Sequence, residues 1–133
     1  MKKRLISMLF FAAVLLVACN SGNPQIGLEV TFLDLGDVVN GEIVSREVTV
    51  RNDGTKELVV ESVSTSCGCT QASVDPMTIP PGGSATLFIE FDSGAHGPEL
   101  TGKLVRQVFI MSNDPQQEEA MVELAANILL PEE

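Results

Sequence analysis

The chain contains no Trp and no Tyr, and Phe supplies all six of its aromatic side chains. That absence removes the core Trp and the tyrosine corner of antibody-type sandwiches, so any immunoglobulin likeness must be architectural. It also leaves few aromatic platforms on which a sugar could stack. Cysteine is limited to three residues and histidine to His96 alone. There is no Cys-x-x-Cys pair and no βαβ pattern, so a thioredoxin-type mechanism has no support. No Ser/His/Asp set, glycine-rich phosphate cradle or close carboxylate pair presents itself. The sequence therefore predicts a protein that is not an enzyme and that needs no cofactor.

Basic residues are scarce as well: eight Lys and Arg face 18 Asp and Glu, a formal net charge of −10. Three of the eight stand together as Lys2-Lys3-Arg4, ahead of an uncharged apolar run over 5–17. A basic start, a short apolar run and a small residue before the cut read as a secretory signal peptide over 1–18. The run is short of the roughly 20 apolar residues that a bilayer core requires, Ser7 interrupts it, and no basic cluster follows Ala18. Its ending, Leu16-Val17-Ala18-Cys19, resembles a bacterial lipobox, which implies that Cys19 is lipidated and becomes the first mature residue. Two or more acyl chains give stable membrane anchoring where one does not. Cleavage leaves 8 − 3 = 5 basic residues against 18 acids, a mature charge of 5 − 18 = −13. Such a surface repels phosphate backbones, so no nucleic-acid partner is expected, and charge gives no help at an anionic bilayer.

Residues 19–25 read as the lipidated Cys and a short linker, Asn20-Ser21-Gly22-Asn23-Pro24-Gln25. Six extended residues reach only about 20 Å, so the domain is expected close to its membrane. Asn20 stands where Asp would signal inner-membrane retention, and no acid follows nearby. By that rule of resemblance the destination is the bacterial cell envelope, on the outer membrane facing the periplasm.

From residue 26 to 133 the pattern is strand after strand. Val48 and Val50 alternate with Glu47, Thr49 and Arg51, and Asn52-Asp53-Gly54 then offers a turn with a residue able to take positive φ. A β-rich run covers 58–66, Pro80-Pro81-Gly82-Gly83 breaks the chain, and Leu87, Ile89 and Phe91 then face one way. Another run over 104–111 stops at Ser112-Asn113-Asp114-Pro115. The segment 118–126 is rich in helix formers, yet Val122, Leu124, Ala126 and Ile128 keep a period of two, which predicts a strand. About seven short strands, turns every 8–12 residues and no amphipathic helix argue an all-β, Ig-like sandwich in one domain.

The succession Gly36-Asp37-Val38-Val39-Asn40-Gly41, Val48-Thr49-Val50-Arg51-Asn52-Asp53-Gly54, Ser66-Cys67-Gly68-Cys69-Thr70, Ile79-Pro80-Pro81-Gly82-Gly83-Ser84 and Ser112-Asn113-Asp114 resembles the bacterial domain of unknown function 1573. That family consists of exported Ig-like domains related to Hydin-type (ASH) and major-sperm-protein-like sandwiches. The resemblance spans about 31–130, and Ser-Cys-Gly-Cys-Thr is its most specific element. It implies a seven-stranded Ig-like sandwich, and it carries over no catalytic residue.

Cys67-Gly68-Cys69 is the constellation able to carry chemistry, and three readings stand open. An oxidising compartment favours a disulfide, for which Gly68 allows the kink that shortens the Cα–Cα span. Closing so small a ring would add little stability through chain entropy, and ring strain would make the bond reducible. Two adjacent thiolates also suit Cu(I); structural zinc would need four ligands, and His96 is the obvious third. The last reading is a pair of inert, half-buried thiols. A loop His such as His96 is ordinarily solvated. Met77 and Met111 would extend a copper site only if they left the apolar core they usually fill. Calcium near Asp53 or Asp114 lacks an EF-hand spacing. Two functions follow. The leading expectation is a membrane-tethered, non-catalytic binding or structural module that engages an envelope protein through its edges or loops. The rival is a copper-binding or thiol-redox accessory protein using Cys67 and Cys69.

Overall fold

A computed structural model of the chain describes residues 21–132; the segment 1–18 read as a signal peptide, Cys19 and Asn20 lie outside the described residues. Among the described residues there are nine strands and no α-helix: β1 Ile26–Leu28, β2 Phe32–Val39, β3 Ile43–Asn52, β4 Leu58–Thr65, β5 Thr70–Asp75, β6 Thr78–Ile79, β7 Ser84–Asp92, β8 Gly102–Ser112 and β9 Glu119–Leu129. They form two packed sheets, ordered β1-β3-β7-β5 and β2-β9-β8-β4-β6. The all-β, Ig-like sandwich expected from the alternation is therefore the fold. Seven strands correspond to the long runs, and β1 and β6, at three and two residues, are additions too short to show a period.

Alternation dictates which side chains fill the space between the sheets. Val48 and Val50 of β3, Leu87, Ile89 and Phe91 of β7, and Val122, Leu124, Ala126 and Ile128 of β9 are all buried. Val60 joins them, and Val63 packs against their margin. The helix-forming residues of 118–126 lie in β9, because period two places four apolar side chains on one face and β8 pairs with that strand over most of its length. Near the N-terminus the chain changes sheets: β1 pairs antiparallel with β3, whereas β2 pairs parallel with β9, with a register shift between Asp34 and Asp37.

The two Asn-Asp turns meet at one pole and clamp the incoming chain. Asn52 is fully buried; its Nδ2 donates to the carbonyls of Lys56 (2.7 Å) and Ile79 (3.0 Å), and its Oδ1 accepts from Gln25 N (3.3 Å) and Gly54 N (3.0 Å). Buried Asp114 accepts Ile26 N at 2.9 Å through Oδ2, and Gln116 N at 2.9 Å through Oδ1. Backbone donors thus occupy both oxygens of Asp114, and exposed Asp53 pairs with Arg51 at 3.3 Å. Gly54 does not take the positive φ expected of it. Close approach is its reason: a Cβ there would lie 2.2 Å from Asn23 O and 2.6 Å from Gln25 N. Residues 23–25, read as linker, are docked against this turn, with Pro24 buried and Asn23 O accepting Thr55 N at 3.0 Å.

Candidate functional site

The opposite pole is reached by following β3 back from Asn52 to Ile43, which pairs with Asp92 at the end of β7. Nine rises of a strand put the poles about 30 Å apart. Here the chain leaves β4 in one sheet and enters β5 in the other, and Cys67-Gly68-Cys69 is the crossing. Its backbone is tied on every side. Thr65 Oγ1 donates to the carbonyls of Cys67 and Thr70, both at 2.9 Å. Thr70 N donates to Cys67 O at 3.1 Å, and Asp92 N to Cys69 O at 2.8 Å.

Within that crossing Cys67 and Cys69 are joined as a disulfide, with Cα atoms 5.2 Å apart. A bend at residues 66–67 and a turn at 68–69, not an extended strand, bring the span well inside the usual range. Gly68 needs neither a positive φ nor space, since a Cβ there would meet nothing within 4 Å. Cys67 is half-buried, whereas Cys69 is 3% exposed and belongs to the core. Two side chains distant in sequence converge on the sulfurs, one from the loop after β7 and one from β8. His96 Nε2 lies 3.0 Å from Cys67 Sγ, and Arg106 Nε on β8 donates to Cys69 Sγ at 3.2 Å.

His96 is exposed, but its loop is not loose. Ser93 is fully buried and its Oγ donates to Val39 O (2.9 Å) and Glu42 O (2.8 Å). Asn40 Nδ2 donates to Gly97 O and Leu100 O at 3.0 and 2.9 Å. Gly94 is required by the close approach of this loop to the β2–β3 turn, since a Cβ would meet Gly41 Cα at 3.0 Å. Cys67, Cys69 and His96 present ligand atoms all within 4.8 Å of one another. The two methionines do not join them. Met77 lies beyond the far end of β5, about 17 Å along that strand, and Met111 pairs with Ser62 and Glu119 toward the N-terminal pole.

Arg106 carried no sequence signal, because 37 residues separate it from Cys69 and only the β4–β8 register, with Thr65 opposite Val108, brings it there. A second feature was equally invisible. On the outer face of the four-stranded sheet an open groove of about 360 Å³ runs over β3, β7 and β5, lined by Arg46, Glu47, Ser73 and Phe88 among others. Phe88 stands opposite Glu47 on one side and Ser73 on the other, and is 43% exposed. β5 pairs as a strand only with β7, so its other edge has no strand partner among the described residues.

No curated protein matches the chain. A crystal structure of a protein of unknown function from Porphyromonas gingivalis W83 superposes with a TM-score of 0.68 at 28% identity, over 78% of this chain and 46% of that one. The chain thus spans about half the length of that relative. The ASH/PapD-like domain 7 of human CEP192 gives a TM-score of 0.61 at 10% identity, covering 83% of this chain and 89% of the domain. The YadV chaperone gives 0.55 at 15% identity, over 77% of this chain and 51% of its own. These last two likenesses show the fold alone, an all-β sandwich. Residues 26–128 match the family described as protein of unknown function (DUF1573), and the chain belongs to that family.

Proposed function

We propose that the protein is a non-catalytic protein-binding module of the bacterial cell envelope, tethered by acyl chains on Cys19, that takes a partner strand along the free edge of β5. The observation that carries this reading is that edge. Sheet edges invite strand addition unless bulges, inward charges or short length blunt them. β1 and β6 are too short to template a partner, and β2 is blunted by its register shift and by Asp34 and Asp37. β5 keeps six residues in register with β7, with its one acid, Asp75, at the far end. A strand added there would lie beside Ser73 and one strand beyond exposed Phe88, about 10 Å away, where a long apolar side chain could reach the ring over the small Ser73.

The tether accords with this role. The docked segment begins at Asn23, so three residues remain between it and Cys19, about 10 Å when extended. A lipid on Cys19 would hold the Asn52 pole against the membrane and turn the Cys67 pole outward. The PapD-like likeness gives a scaffold suited to protein binding without supplying a partner's identity. The test is mild cross-linking of membranes followed by purification of the wild type and of Phe88→Lys. The reading expects one specific partner with the wild type, much reduced with the variant. Persistent absence of any partner, or equal recovery with both, would refute it.

A further inference from the structure

Besides the β5 edge, and independently of it, the chain carries a second site in which two sulfurs, an imidazole and a guanidinium come together from three separate segments. We propose that Cys67, Cys69 and His96 form a copper(I) site that opens when the Cys67–Cys69 disulfide is reduced, with Arg106 as the positioning cation. The donor set selects the metal. Two thiolates and an imidazole suit a soft ion content with two or three ligands, whereas structural zinc requires four. Metal bonds of about 2.3 Å to sulfur separate trigonal ligands by about 4 Å, and the three ligand atoms already lie within 4.8 Å of one another.

Charge supports the same assignment. Two thiolates around Cu⁺ leave a net charge of −1, and Arg106 Nε at 3.2 Å from Cys69 Sγ offsets it. Among the described residues Arg51–Asp53 is the one ion pair, and the Arg106 guanidinium donates to Cys69 Sγ and to Val105 O (2.8 Å), not to a carboxylate. The loop fixings that hold His96 are unaffected by the state of the sulfurs, since Ser93 and Asn40 bond to backbone carbonyls.

Opening needs a reductant, which is a dithiol of the envelope. Its thiolate attacks the more accessible Cys67 Sγ, the bond between Cys67 and Cys69 breaks, and Cys69 leaves as a thiolate facing Arg106. The second thiol of the reductant then displaces Cys67 and becomes its own disulfide, so two electrons pass to the cysteines. In the disulfide Cys67 Sγ can only accept, and Nε2 of His96 is the donor. On metal binding the thiols release their protons to solvent, and the imidazole exchanges its proton through solvent from Nε2 to Nδ1, so that Nε2 is free to ligate.

The experiment uses the full-length chain in detergent under anaerobic conditions, with the reductant removed, and bicinchoninate as a coloured competitor for Cu(I). The reduced protein is expected to take one Cu(I) per chain and the oxidised protein none. X-ray absorption is expected to give two sulfur ligands and one nitrogen. His96→Ala should lose the nitrogen and weaken binding by about tenfold or more, and Arg106→Gln should weaken it within a range of roughly 10–100-fold. Arg106→Gln should also move the pH profile of thiol alkylation upward, because a nearby cation favours the thiolate, and Arg106→Lys should restore part of that shift; circular dichroism confirms that each variant is folded. No uptake by reduced protein, equal uptake by oxidised protein, or sulfur-only coordination unchanged in His96→Ala would each overturn the site.

Discussion

Removing the Asn52 side chain tests how the N-terminal pole is held together. Four backbone groups depend on that fully buried amide: the carbonyls of Lys56 and Ile79, and the N–H groups of Gln25 and Gly54. Lys56 and Gln25 belong to exposed residues, so water replaces part of what Asn52→Ala takes from them. Ile79 is fully buried, and a buried group left without a partner costs about 1–3 kcal/mol. With a smaller loss from the other groups, the expected total is about 2–4 kcal/mol. For a domain near 100 residues each kcal/mol lowers Tm by about 4 °C or more, which gives a fall of at least about 8 °C. Because the chain has no Trp or Tyr, far-ultraviolet circular dichroism or calorimetry is the readout, not intrinsic fluorescence. Hydrogen exchange should quicken at Gln25 and Gly54 before other amides. A variant within about 0.5 kcal/mol of wild type, as an ordinary surface substitution would be, would show that Asn52 decorates the pole without clamping it.

Ile89→Ala, which empties a 2% exposed position on the inner face of β7, should cost about 2–5 kcal/mol by urea midpoint. The Cys67→Ser/Cys69→Ser double variant should cost less, since so small a ring adds about 1.5 kcal/mol or less; the reverse order would mean that the thiols anchor the fold. Gly68→Ala should leave the melting temperature nearly unchanged, because its Cβ enters open space. Gly54→Ala should lower it and loosen residues 23–25, because its Cβ meets their backbone. Cys19→Ser should move the protein from the membrane to the soluble fraction, and retention on membranes would show that something other than acyl chains holds it.

The parts of the fold legible in the sequence were those where one residue and its second neighbour share an environment. Leu87, Ile89 and Phe91, or Val122 to Ile128, announce a face because strand side chains alternate. β1 and β6 are too short for that signal, and the parallel pairing of β2 with β9 depends on a contact between the two ends of the chain. Asn52-Asp53-Gly54 was readable as a turn, but the burial of Asn52 and the crowding at Gly54 come from residues 23–25 lying across it. The same limit governs the sulfur site. Cys67 and Cys69 are visible as a pair, whereas His96 reads as a solvated loop residue until Asp92 N bonds to Cys69 O and sets its loop beside the crossing. Arg106 is placed solely by strand register.

The reading of the protein as a strand-capturing module is tested most directly by a photo-crosslinking side chain placed at Ser73, on the outward face of β5, in intact cells. Ser64, exposed on β4 of the other sheet, serves as the control position. The account predicts a discrete adduct of a single mass at Ser73, none at Ser64, and loss of the adduct when Phe88→Lys is added. Equal labelling at both positions, or no adduct at Ser73 with the protein folded and in place, would contradict it.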